Sequence, residues 1–140
     1  MGVFLFGLLW LQALQIPLPD GPSAWTVVVV TSGGFTGKGD GFFSASSEGK
    51  ILCRELKCPD AFKAADFQSL VETILPASLP VVTLPPVTVC NDCIKRTMTI
   101  TRRDAGGILH TYTATWDETT KGRLPPEINR LYDAFTAIMK

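Results

Sequence analysis

Residues 94–116, IKRTMTITRRDAGGILHTYTATW, decide the fold. Ile94, Met98 and Ile100 recur on one face of the first half, and Ile108, Tyr112, Ala114 and Trp116 on one face of the second. Strict alternation of this kind has the two-residue period of a half-buried strand. Asp104, Ala105, Gly106 and Gly107 separate the halves and supply turn chemistry, so the segment predicts an antiparallel hairpin. Thr97, Thr99, Thr101, Thr111, Thr113 and Thr115 take the opposite faces, where their β-branched side chains favour strand and tolerate water.

Working upstream, Trp25 to Thr31 reads WTVVVVT, a short β-branched run ended by Ser32, Gly33 and Gly34, and predicts a central strand. Ser32 to Gly41 holds five glycines and reads as a loop or wide turn. A second strand is expected over Phe42 to Glu55, bulged near Ser46 to Gly49. Pro59 and Asp60 suit a helix start, and Phe62, Phe67, Leu70, Val71, Ile74 and Leu75 give one apolar stripe that Pro76 closes. Pro76, Pro80, Pro85 and Pro86 argue for an extended crossing segment on the surface. Downstream of the hairpin, Pro125 and Pro126 precede a second stripe of Ile128, Leu131, Tyr132, Phe135, Ile138 and Met139. The expected fold is α+β: an antiparallel sheet of about four strands with two helices in ββαββα order.

The chain has 140 residues, 46% of them hydrophobic and 19% charged, a composition of globular proteins rather than disordered ones. Thirteen basic residues balance thirteen acidic ones. No run of Lys or Arg exceeds a pair such as Arg102 and Arg103, so the electrostatic footprint for nucleic acid is lacking. Gly2 to Leu14 is almost wholly apolar but shorter than the roughly 20 residues that span a bilayer. It reads as the apolar region of a signal peptide, followed at once by Pro17, Pro19, Gly21 and Pro22. No Lys or Arg precedes the run, and Pro22 stands two residues before Ala24, where a cleavage site favours a small residue; the alternative is a docked N-terminal apolar segment. Residues 1–24 are thus set apart from a single domain at 25–140, in a protein expected to be secreted or periplasmic.

Four cysteines carry the sharpest local signal, Cys53 and Cys58 as C-x4-C and Cys90 and Cys93 as C-x2-C. An even number behind an export-like start points to two disulfides. Three pairings are open, and the expected one cross-links the end of the second strand to the start of the third across the Pro-rich segment. A four-cysteine zinc site is the alternative use of the same sulfurs. A redox centre at Cys90 and Cys93 fits poorly, since a strand and not a helix follows. No cofactor is implied.

Catalysis finds little support. The sole histidine, His110, sits within the alternating strand and reads as a packed or sheet-surface residue with no nucleophile assigned to it. Asp117 and Glu118 read as solvated loop. The glycines after Thr31 miss the phosphate-loop pattern, with three residues between Gly33 and Gly37 and Gly39 directly after Lys38. Phe35 in that loop is read as a plug folded onto the core, with an exposed anchor for a partner as the alternative.

The strings VVVVTSGGFTG (27–37), IKRTMTITRR (94–103), ILHTYTATW (108–116) and LPPEINRLYDAF (124–135), with the helix near Leu70, together resemble the emfourin-like family of small bacterial proteins related to an inhibitor of thermolysin-like metalloproteases. The resemblance extends from Trp25 to Met139. It implies a non-enzymatic binding domain that blocks a secreted metalloprotease, with Ser32, Gly33, Gly34, Phe35, Thr36 and Gly37 as the contact loop. The four cysteines and the export-like start depart from the family pattern. A structural or accessory cell-envelope protein is the alternative function.

Overall fold

The computed structural model describes residues 16–33, 41–74, 81–85 and 93–139. The expected apolar segment Gly2–Leu14, the loop residues Gly34, Phe35, Thr36 and Gly37, the helix-closing Pro76, and Cys90 all lie outside these. The described elements, in chain order, are β1 (Trp25–Gly33), β2 (Gly41–Ser46), β3 (Ile51–Arg54), α1 (Ala65–Glu72), β4 (Val81–Thr83), β5 (Ile94–Arg103), β6 (Leu109–Asp117), a short 3-10 turn (Lys121–Arg123) and α2 (Pro126–Ile138).

The strands form one six-stranded sheet in the order β3-β2-β1-β5-β6-β4. β1 lies inside it, antiparallel to β2 with Val29 opposite Phe43 and antiparallel to β5 with Val29 opposite Met98. Its valines explain that position, since β-branched side chains pack well on a pleated surface buried by neighbours. β5 and β6 form the expected hairpin, closed by a hydrogen bond from the Asp104 amide to the Ile108 carbonyl.

One face of the sheet carries the core. Trp25, Val27, Val29, Phe43, Ala45, Met98, Ile100, Tyr112, Ala114 and Trp116 cluster with Phe67, Val71 and Ile74 from the first helical region and with Ile128, Leu131, Tyr132 and Phe135 of α2. Phe135 is fully buried. Its ring lies 4.4 Å from that of Phe67, 5.3 Å from Phe43 and 6.1 Å from Phe62, centroid to centroid. The opposite face holds the threonines in cross-strand pairs, Thr97 with Thr115, Thr99 with Thr113 and Thr101 with Thr111.

The sheet departs from the expected four antiparallel strands in two places. The stretch from Phe42 to Glu55 is two strands, because Ser46 to Lys50 closes a tight turn in which the Gly49 amide donates to the Ser46 carbonyl and Gly49 takes a φ of +87°. That backbone conformation suits glycine and disfavours side chains with a Cβ. Val81–Thr83, within the Pro-rich crossing, pairs in parallel with Thr113–Thr115 and makes the sheet mixed. Proline favours extended backbone in its neighbours, and the three residues between Pro80 and Pro85 that pair are proline-free, so their amides are free to join an edge ladder; the Leu84 amide also donates to Thr115.

The first helix starts at Ala65, later than Pro59 and Asp60 suggest. Cys58 is bonded back to Cys53 on β3, so the chain uses the following residues to cross from the strand to the helical layer. Phe62 enters the aromatic cluster on the way, 5.2 Å from Phe67. Ile108, expected on the inner face, lies ahead of β6 and is exposed. Among the described residues no helix is long and apolar enough to cross a membrane.

Phe135→Ala removes the ring at which α1, α2 and β2 meet. We expect a loss of about 3–5 kcal/mol in unfolding free energy, read as a lowered urea midpoint with an unchanged slope.

Candidate functional site

At one end of the sheet, β1 runs out and β2 begins, and the glycine-rich segment joins them. Ser32 pairs with Lys95 and Gly33 with Ile94, so the base of the loop is held against the start of β5. Both residues are exposed. Gly33 adopts a φ of +99°, and a Cβ there would stand 2.8 Å from the backbone oxygen of Cys93. Glycine is therefore required twice over, by backbone conformation and by contact. On the return side, a Cβ on Gly41 would meet the Leu56 side chain at 3.2 Å and the Arg54 carbonyl at 3.6 Å.

The cysteines brace the same end. Cys53 and Cys58 form a disulfide with their Cα atoms 5.5 Å apart, and Cys93 is also disulfide-bonded. This local bond overturns the cross-pairing expected from spacing. The reason is geometric: β2 and β1 lie between β3, which carries Cys53, and β5, which Cys93 precedes. Three strand spacings amount to about 14 Å, far beyond the roughly 7 Å Cα separation a disulfide tolerates. The bonded sulfurs are not the free thiolates that a zinc site requires. The Cys53 sulfur also lies 3.9 Å from the Met139 sulfur, which places the bridge against the residue that follows α2.

Beside the loop base, the threonine-bearing face of the sheet turns apolar. Val30 stands opposite Phe42 and Ser44 opposite Leu52. Val30 is 40% and Leu52 47% exposed, with Val28 and Phe42 partly buried between neighbours. The structure thus brings Ser32 and Gly33 together with Cys93 at the loop base, and sets the Cys53–Cys58 bridge apart from them across β1 and β2, with Val30, Phe42, Leu52 and Leu56 on the surface between. Val30, Phe42 and Leu52 were legible as strand positions, but their sharing one face depends on register, and Leu56 lies beyond both the expected strand and β3.

The other sequence candidates serve the scaffold. His110 Nε2 lies 3.0 Å from Asp104 Oδ2, while Asp104 Oδ1 accepts from the amides of Gly106 and Ile108 at 2.9 Å each. The hydrogen bond with His110, and then that from the Ile108 amide, hold the Asp104 carboxyl below its ordinary pKa. Asp117, read from sequence as solvated loop, is buried. Its Oδ1 accepts from the Thr119 amide at 2.7 Å, the Thr119 hydroxyl at 2.6 Å and the Thr120 hydroxyl at 3.3 Å. A carboxylate two and three residues ahead of its donors closes a turn on itself, and here that turn links β6 to the 3-10 turn.

Comparison with family models, with curated proteins and with solved structures finds no match to this chain.

Two predictions follow from this end of the sheet and from the Asp117 turn. Gly33→Ala introduces the clash with Cys93 and strains the backbone, and we expect a loss of about 1–3 kcal/mol by chemical denaturation. The Thr119 hydroxyl, with help from the Thr119 amide and from Thr120, holds the Asp117 carboxyl below its ordinary value of 3.8. A depressed carboxyl contributes stability above its unfolded-state pKa and loses it as pH falls through the folded-state value. Thermal melts from pH 6 downward are expected to show Asp117→Asn less stable at pH 6 and less sensitive to acid than the wild type.

Proposed function

We propose that this protein is an exported, non-catalytic binding domain whose 32–37 loop docks into a secreted metalloprotease and inhibits it. The observation that carries the reading is the close approach of Gly33 to the Cys93 carbonyl, beside a disulfide-bonded residue and within a ladder to β5. A loop whose base is fixed before it meets its partner loses less conformational entropy on binding. Binding loops carried on a rigid scaffold are the common arrangement. The apolar positions Val30, Phe42 and Leu52 continue the surface away from the loop, as the buried centre of a protein interface does. Disulfides favour an oxidising compartment, which supports export. The choice of a metalloprotease rests on the resemblance of VVVVTSGGFTG and the later strands to the emfourin-like family.

The test is residual activity of a thermolysin-type protease titrated with the oxidised full chain, alongside a serine protease as control. We expect stoichiometric loss of metalloprotease activity, no effect on the serine protease, and loss of inhibition in a folded Gly34→Ala, Phe35→Ala double variant. Undiminished protease activity at micromolar excess overturns the inhibitor reading. Undiminished inhibition by the folded double variant removes the loop from it.

A further inference from the structure

At the end of the sheet marked by the β5–β6 turn, the chain leading into β1 crosses the end of β5. The Arg103 amide donates to the Ala24 carbonyl at 2.8 Å. Two cavities of about 200 Å³ and 480 Å³ open here, and Arg103 and Ala105 line both. The smaller is bounded by Ser23, Trp25, Gln68, Glu72 and Arg102 as well. It exceeds several times the roughly 30 Å³ share of one water. Ser23 holds a φ of +62°, a strained conformation for a residue with a Cβ.

Most of the polar side chains in this lining spend their hydrogen bonds on the protein itself, save the arginines. The Trp25 indole donates to Gln68 Oε1 at 2.8 Å, and the Gln68 amide donates to the Ser23 carbonyl at 3.2 Å and to Glu72 Oε1 at 2.8 Å. Both Asp104 oxygens are engaged, by two backbone amides and by His110. Arg102 Nη1 reaches the Glu72 carbonyl at 3.3 Å. The Nε atoms of Arg102 and Arg103 are buried with no partner and are closed to the cavity, so the donors open to it are the Arg103 Nη groups, which make no hydrogen bond or ion pair among the described residues. A guanidinium that lines a cavity with its Nη groups unpaired is a ready donor for an anion.

We propose that this cavity binds a carboxylate group, with Arg103 as its anchor and Arg102 as a second donor. The planar guanidinium fork matches two carboxylate oxygens. Glu72 and Asp104 offset the two arginines, so the lining has no net charge and disfavours a dianion more than a single negative charge. Trp25 and Gln68 hold the wall in place through the hydrogen bond between them. The site lies at the β5–β6 turn, away from the loop base where Gly33 meets Ile94, so it stands independently of protease inhibition.

The experiment is a titration of the oxidised full chain, at constant ionic strength, followed through the arginine Nε–Hε resonances by NMR. The probes are acetate, a short peptide with a free C-terminus, the same peptide amidated, and inorganic phosphate. We expect saturable shifts at Arg103 with acetate or the free-acid peptide and weaker ones with phosphate. Arg103→Gln is expected to weaken binding by about tenfold or more while the Trp116 indole resonance stays native, and Arg103→Lys to fall between. Tighter binding of the free-acid peptide than of acetate identifies a chain terminus as the source; equal binding identifies a free small acid. Shifts that stay linear with concentration, equal binding by a natively folded Arg103→Gln, or equal response to the amidated peptide overturn the proposal.

Discussion

β1 is hydrogen-bonded along both edges and buried on its helix-facing side by Trp25, Val27 and Val29. Its two partners are unlike. β2 follows it directly in the chain, whereas β5 arrives after both of the crossings that carry α1 and β4. The register of the whole sheet is therefore set by one strand of valines. A slip of one residue in either ladder would turn Val27 and Val29 out of the core and bring Val28 and Val30 in. The threonine face, the Gly33 contact with Cys93 and the meeting of Arg103 with Ala24 all inherit that register.

Much of this was legible where the signal was local. The β5–β6 hairpin, the β1 run and the α2 stripe are periodic over their whole lengths, and the structure keeps Met98, Ile100, Tyr112, Ala114 and Trp116 inside as alternation requires. The errors arose where a neighbour decided the outcome. Val81–Thr83 is three residues long and becomes a strand because β6 offers it an open edge. Residues 59–64 have a helix-like start but are held off the helix by the bond from Cys58. Asp117 is followed by polar residues, and only the folding of Thr119 and Thr120 back onto it reveals a buried turn.

The candidate sites divide the same way. Ser32 and Gly33 stood out because glycine clusters mark positions where backbone conformation is special. The cysteine pairing did not follow from spacing, since it depends on which strands intervene, and β2 and β1 separate Cys53 from β5. Arg102 and Arg103 carried no signal beyond a charge pair. The cavity they line forms where the Arg103 amide meets the Ala24 carbonyl, a contact between segments distant in sequence.

That distance bears on how the molecule is made. Trp25 has its β5 partner at Arg102, so a chain made from its N-terminus must add all the residues between them before the central strand can complete its second edge. Non-local pairing of this kind slows folding through the entropy of closing large loops. Until then β1 presents a bare ladder of valines, the sort of edge on which chains associate. The Cys53–Cys58 bond spans a separation of 5 residues and asks nothing of β5, so oxidation can secure the β3 end while the sheet is still half built. The bridge is then a constraint on the nascent chain as much as on the finished fold.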